Sequence, residues 1–268
     1  VIIDATLCTS PKLTNWNAST LTPEYFVKKL HSLSKYADWC TYIPSVEHGN
    51  SILGCVSKRR ESIKDNTVDA HMWLDCDMIF SDYTFYYIEA ALQTLQNAGH
   101  KYYILTPEIM KIWDNTWDSI TNKLYIEKPL KYHLTADVFK ETSTAIDSDA
   151  ERTVEAIEQF KFAGGWLTIL SAPLAELVQI PDSLGHYGLE DFFVMEACNI
   201  LRSVIPVSQF VLKNVLVAEN HKYRDDSYIT DLIRVHDVKD EYRNIAWSHI
   251  TEELNKYNKD VRDGKIVI

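Results

Sequence analysis

The chain opens on an apolar, β-branched run, Val1–Leu7, with the length and composition of a buried strand. After Thr22-Pro23-Glu24 the apolar spacing takes a helical period through Tyr36, with Thr22 suited to the N-cap and Pro23 to the first helical position. Trp39–Val46 reads as a second strand, Ile52–Lys64 as a second helix, and Ala70–Leu74 as a third strand that runs into Asp75-Cys76-Asp77. A helix from Tyr83 to Asn97, stopped at Gly99, leads to the strand Lys101–Leu105. This alternation predicts an α/β fold with a mostly parallel central sheet flanked by helices. Ligands of such sheets bind beyond the carboxyl ends of the strands, and Asp75 and Asp77 stand at one of them.

The second half is less regular. Asp114–Tyr132 reads as loop or short strands rich in tryptophan and tyrosine. Ser148 with Glu151 three residues later has capping-box spacing, so Asp147-Ser148-Asp149 is expected to start a helix over Glu151–Lys161 rather than form a second acid pair. Trp166–Leu170 follows Gly164-Gly165 as a short strand, and Pro181–Gly185 is a turn. A helix is expected from Glu190 to Leu201, a strand over Phe210–Val217, and a polar amphipathic helix over Lys239–Tyr257. No repeat and no Gly/Ser/Pro-rich linker divides the chain, which predicts a single domain over 1–268.

Composition changes this picture little. With 46% apolar and 24% charged residues the chain has ordinary globular usage. Its formal charge of -11 repels a phosphate backbone, so nucleic acid is not an expected partner. A nucleotide diphosphate can still bind such a protein if a divalent cation bridges the two sets of negative charge. The five cysteines, Cys8, Cys40, Cys55, Cys76 and Cys198, are widely spaced without a C-x-x-C pair and are expected as reduced thiols. No apolar run approaches the roughly 20 residues that span a bilayer. No integral membrane segment is expected in this chain, and a cytoplasmic location is the default.

Three short patterns carry chemistry. Asp75 and Asp77 at the end of a buried strand are costly to leave uncompensated, and a hard divalent cation would offset that cost. Taken alone, such a pair is more often an ordinary set of solvated acids. Gly188-Leu189-Glu190-Asp191 opens an apolar helix; acids there suit the macrodipole, or supply a general base at a cleft floor. Gly164-Gly165 before a strand allows either a tight bend or a close approach of backbone to ligand.

In this order and spacing the three patterns resemble the GT-A glycosyltransferases, closest to the broad family 2 group. Ser57-Lys58-Arg59-Arg60-Glu61-Ser62-Ile63 stands where that family carries an arginine-containing helix before its D-x-D strand. The likeness covers roughly Val1 to Tyr223. It implies a metal-dependent transferase that moves a sugar from a UDP- or GDP-sugar donor to a carbohydrate or other hydroxyl acceptor. Residues 1–107 would form the nucleotide-binding half, 108–235 the acceptor-binding half and 236–268 a C-terminal helix. Asp77, helped by Asp75, would hold Mn²⁺ or Mg²⁺ on the donor's diphosphate, with His221 as a further ligand and His236 as its rival. Arg59, or its neighbour Arg60, would lie near the nucleotide, together with Ser10 in the loop after the first strand. Gly164 and Gly165 would bring backbone close to the sugars. Asp191 would act as the base, with Glu190 on the acceptor hydroxyl, and an inverting displacement is the expected course. Trp113 and Trp117, with Tyr125, offer flat faces to an acceptor sugar. The family's usual aspartate after the second strand has no clear counterpart; Ser45 and Glu47 are the nearest.

Other classes fit less well. A phosphatase of the haloacid dehalogenase type would place a threonine or similar residue soon after the second aspartate, whereas Asp77 is followed by Met78-Ile79-Phe80. A nucleotidyltransferase would favour a glycine-rich loop after the first strand, and Leu7-Cys8-Thr9-Ser10-Pro11-Lys12 has no glycine. A degenerate carbohydrate-binding protein would be expected to have lost an acid from one motif, and both are intact.

Overall fold

The computed structural model describes residues 1–8, 55–64, 67–75, 78–80, 84–109, 151–158, 167–185, 188–219 and 229–266. The helix expected over 22–36, the strand over 39–46 and the loop over 114–132 lie outside these residues. So do Ser45, Glu47, Tyr125 and 147–149.

In chain order the elements begin β1 (Ile3–Cys8), α1 (Cys55–Ser62), β2 (Ala70–Asp75) and β3 (Met78–Phe80). They continue with α2 (Thr84–Asn97), β4 (Tyr103–Ile109), β5 (Thr153–Ala156), β6 (Leu167–Ser171) and α3 (Ala172–Leu177). A 3₁₀ turn (Asp182–Leu184), α4 (Glu190–Leu201), β7 (Ser208–Glu219) and α5 (Ile229–Arg262) complete them.

The α/β class is as expected, but the sheet is mixed rather than mostly parallel. Its seven strands run in the order β1-β2-β6-β4-β7-β3, with β5 also on β7. The β1–β2 and β4–β7 pairs are parallel. The pairs β2–β6, β4–β6, β3–β7 and β5–β7 are antiparallel. Every residue of β6 is buried, so its apolar pattern carries no orientation; it inserts reversed between β2 and β4.

The helix expected over Glu151–Lys161 is a second correction. Thr153–Ala156 is a strand, paired with β7 from Thr153↔Lys213 to Ala156↔Phe210. Capping-box spacing is a local signal, and the long-range ladder on β7 overrides it here.

Helix α2 shows how spacing becomes packing. Phe85, Ile88, Leu92 and Leu95 recur at intervals of three and four and are all buried. The helix closes on Gly99 at φ 79, with Gly99 N–H donating to Gln96 O and His100 N–H to Leu95 O. This is a Schellman ending, for which glycine supplies the left-handed residue without steric cost. One buried cluster runs from Ile3 and Met72 through Leu105, Ile169 and Phe193 to Tyr257 and Val261. Strands β1, β2, β4 and β7 all end on the same edge of the sheet, which is where the acids of the D-x-D motif belong in sequence.

Candidate functional site

Asp75 ends β2, paired with Cys8 at the end of β1. Two residues earlier, Trp73 pairs with Thr6 on one side and Thr168 on the other, so all three share a sheet face. Trp73 is 1% exposed. Arg59 of α1 sets its guanidinium carbon 5.4 Å from the Trp73 ring centroid. The same guanidinium donates from Nη1 to Glu190 Oε1 at 2.6 Å. Both partners are nearly enclosed, with side chains 6% and 7% exposed. Arginine suits this place because a planar, weakly hydrated cation can stack on an aromatic face and still pair with a carboxylate.

This contact joins three segments far apart in sequence. The arginine helix, the strand ending in Asp75 and the acid-led α4 are joined through Arg59, which touches both Trp73 and Glu190. Glu190 and Asp191 occupy the first turn of α4, where negative charge is favoured by the helix dipole. Asp191 is half-buried, and its Oδ1 accepts from the Phe192 N–H at 2.7 Å.

The entry to α4 is strained. Gly188 has φ 87 and Leu189 has φ 64, two left-handed residues in succession. The atoms nearest a Cβ on Gly188 would be those of Arg243, at 3.7–3.9 Å, which is ordinary contact. Gly188→Ala is therefore expected to cost about 1–2 kcal/mol through the backbone alone. Urea unfolding checks this, and an unchanged midpoint would mean that the turn readily adopts another conformation.

Arg60 has a separate task. It donates to the carbonyls of Ile180, Pro181 and Gly185, each at 3.0 Å, and lies 3.2 Å from Asp182. Burial pulls its pKa below the ordinary arginine value, opposed by nearby Asp182. Arg60 thus fastens α1 to the turn before α4, while Arg59 is the one that meets the acid motif.

The other sequence-derived positions divide by where they fall. Ser10, Asp77, Trp113, Trp117, Gly164, Gly165 and His221 lie outside the described residues, and of Asp75 and His236 the backbone alone is described. Among the described residues no group of three or more His, Cys, Asp and Glu could hold a metal ion. The strands flanking two of the expected ligands are nevertheless paired. Met78, next after Asp77, is opposite Glu219, two residues before His221. Two carboxylates and an imidazole form a donor set that suits Mn²⁺, a harder cation than zinc and more tolerant of nitrogen than Mg²⁺.

A cleft of ≈ 810 Å³ stands elsewhere, lined among others by Arg60, Lys101, Tyr102, Asp182, Tyr257 and Lys265. Tyr102 immediately precedes β4, so this cleft belongs to the edge of the sheet opposite Asp75. Among the cysteines, Cys198 is a free thiol buried in α4, and burial pushes its pKa up. No helix among the described residues is long and apolar enough to cross a membrane.

A group at the carboxyl edge escaped the sequence reading. Glu108, 2% exposed at the end of β4, accepts a hydrogen bond from Lys213 Nζ and another from the Asn214 N–H at 2.8 Å. An acid closing an apolar strand, and Lys213-Asn214 interrupting another, were the available signals. No family model matches the chain, and no curated protein does either.

Proposed function

We propose that the protein is a metal-dependent glycosyltransferase of GT-A type, transferring a sugar from a UDP- or GDP-sugar to a hydroxyl acceptor. The observation that carries this reading is the buried Arg59–Glu190 pair over Trp73, which draws the Glu190-Asp191 motif to the end of the Asp75 strand. A general base for the acceptor has to stand close to the bound donor, and a contact that links these two motifs supports the reading.

Asp77, Asp75 and His221 are the residues assigned to hold Mn²⁺, with Mg²⁺ as the substitute. When bound, the ion would act as a Lewis acid toward the charge that builds on the departing nucleoside diphosphate. Asp191 takes the proton of the acceptor hydroxyl as its oxygen bonds to the anomeric carbon. The bond from that carbon to the diphosphate oxygen breaks, and the configuration inverts. Glu190 holds its Oε1 on Arg59 and carries a second carboxylate oxygen, Oε2. That oxygen is assigned to the acceptor hydroxyl. Trp113 and Trp117 are assigned to the acceptor sugar, and Ser10, Gly164 and Gly165 to the donor.

A panel of UDP- and GDP-sugars incubated with Mn²⁺ tests the reading, with products followed by NMR. Release of nucleoside diphosphate from one donor, with the anomeric configuration inverted, is the expected result. Retention would remove Asp191 from its role. Metal-dependent turnover of no donor, to water or to simple glycoside acceptors, would count against a transferase.

A further inference from the structure

We propose that Glu108 is a positioning residue for the metal site assigned above, acting by locking a bulge in β7; the inference rests on the transferase reading. Four observations lead to it. The β4–β7 register runs evenly to Pro107↔Leu212 and then jumps to Glu108↔Leu216, so three residues of β7 have no counterpart on β4. Within that insertion Asn214 adopts φ 60, a left-handed conformation that costs a non-glycine residue energy. Glu108 meets both sides of the insertion, accepting from Lys213 Nζ and from the Asn214 backbone N–H. Beyond the bulge β7 pairs with β3, through Val217↔Phe80, Ala218↔Ile79 and Glu219↔Met78.

Three extra residues have a defined consequence. At about 3.3 Å per residue, a β7 without the bulge would carry its end about 10 Å further along β4. An odd insertion also reverses which face each later side chain occupies. Glu219 would then no longer stand opposite Met78, the residue that follows Asp77 in sequence. Glu108 is also well placed along the sheet. Leu74 and Leu105 pair with Leu167 and Ile169 of β6, so counting along β6 puts Glu108 level with Asp75. The carboxylate that fixes the bulge therefore sits in the same row as the strand end bearing the first acid.

A buried carboxylate could hold the bulge only with a cation beside it, which is the part played by Lys213. Its side chain is 28% exposed, so the pair sits at the boundary between core and solvent.

The test compares wild type, Glu108→Gln, Lys213→Met and Lys213→Arg. Free Mn²⁺ is followed by electron paramagnetic resonance in the presence of UDP or GDP, and backbone amides by hydrogen exchange. Glu108→Gln and Lys213→Met are expected to weaken Mn²⁺ binding by about 10–100-fold, as loss of groups supporting metal ligands does. Exchange should quicken at 216–219 and 78–80 and stay unchanged at 3–8 and 70–75, while Lys213→Arg keeps wild-type behaviour. Wild-type Mn²⁺ affinity in both variants, or exchange that quickens evenly across the sheet, overturns the assignment. If a variant is too unstable to titrate, the exchange pattern of the other decides by the same criterion. Failure of the wild-type protein itself to bind Mn²⁺ with either nucleotide refutes the transferase reading on which the inference rests, a result distinct from failure of the variants alone.

Discussion

Replacing Arg59 with methionine is expected to destabilise the protein by about 3–5 kcal/mol, because Glu190 would be left charged in an enclosed site without its cation. The two side chains are 6% and 7% exposed, so water compensates little. Part of the loss comes from the stacking of the guanidinium on Trp73. Glu190→Met alone should also be costly, since it removes the carboxylate paired with a nearly enclosed guanidinium. The double variant Arg59→Met, Glu190→Met is expected to recover most of the loss, because a buried ion pair replaced by apolar side chains of similar volume is often near neutral. Urea unfolding of the four proteins measures the coupling directly. Changes that simply add, within about 0.5 kcal/mol, would show that the contact contributes no coupling energy.

The second large effect concerns catalysis. Asp191→Asn is expected to lower turnover by about 10²–10⁴-fold, the usual contribution of a positioned general base. Folding should be spared. The asparagine carbonyl can still accept from the Phe192 N–H that Asp191 Oδ1 now holds at 2.7 Å. Donor binding should also be unchanged, because the role assigned to Asp191 lies with the acceptor. Donor hydrolysis gives the rate and calorimetry the affinity. Turnover within a few-fold of wild type would remove Asp191 as the base, and a parallel loss of donor affinity would point to a structural role.

How much of this was legible beforehand depends on the range of the interaction involved. Helix α4 begins at Glu190 and ends at Leu201 as its apolar spacing indicates, and α2 stops as Gly99 requires. Those are local signals, set within a few residues of one another. Strand 153–156 went the other way, because Ser148 and Glu151 advertise a helix start while the ladder on β7 is formed with residues far along the chain. The reversed insertion of β6 was hidden for a similar reason, since a strand buried throughout reads alike in either direction. At the site, Arg59 and Glu190 could each be singled out from a motif. Their pairing could not, because nothing in local periodicity relates residues 131 positions apart. The bulge left one trace, Lys213-Asn214 inside an apolar run, and asparagine is among the few residues that tolerate a left-handed backbone. Glu108 carried the remaining clue. A charge that closes a buried strand has to meet a partner somewhere, and the partner turned out to be the bulge.

Thermal unfolding with UDP, GDP, CDP and dTDP, each with Mn²⁺ and again with EDTA, tests the central claim most directly. A ligand that binds only the folded protein stabilises it by about 2.7 kcal/mol at a hundredfold excess over its dissociation constant. The account predicts a raised midpoint with UDP or GDP and Mn²⁺, abolished by EDTA and by Asp77→Ala. No shift with any of the four nucleotides at millimolar concentration with metal, or an equal shift in Asp77→Ala, would contradict it.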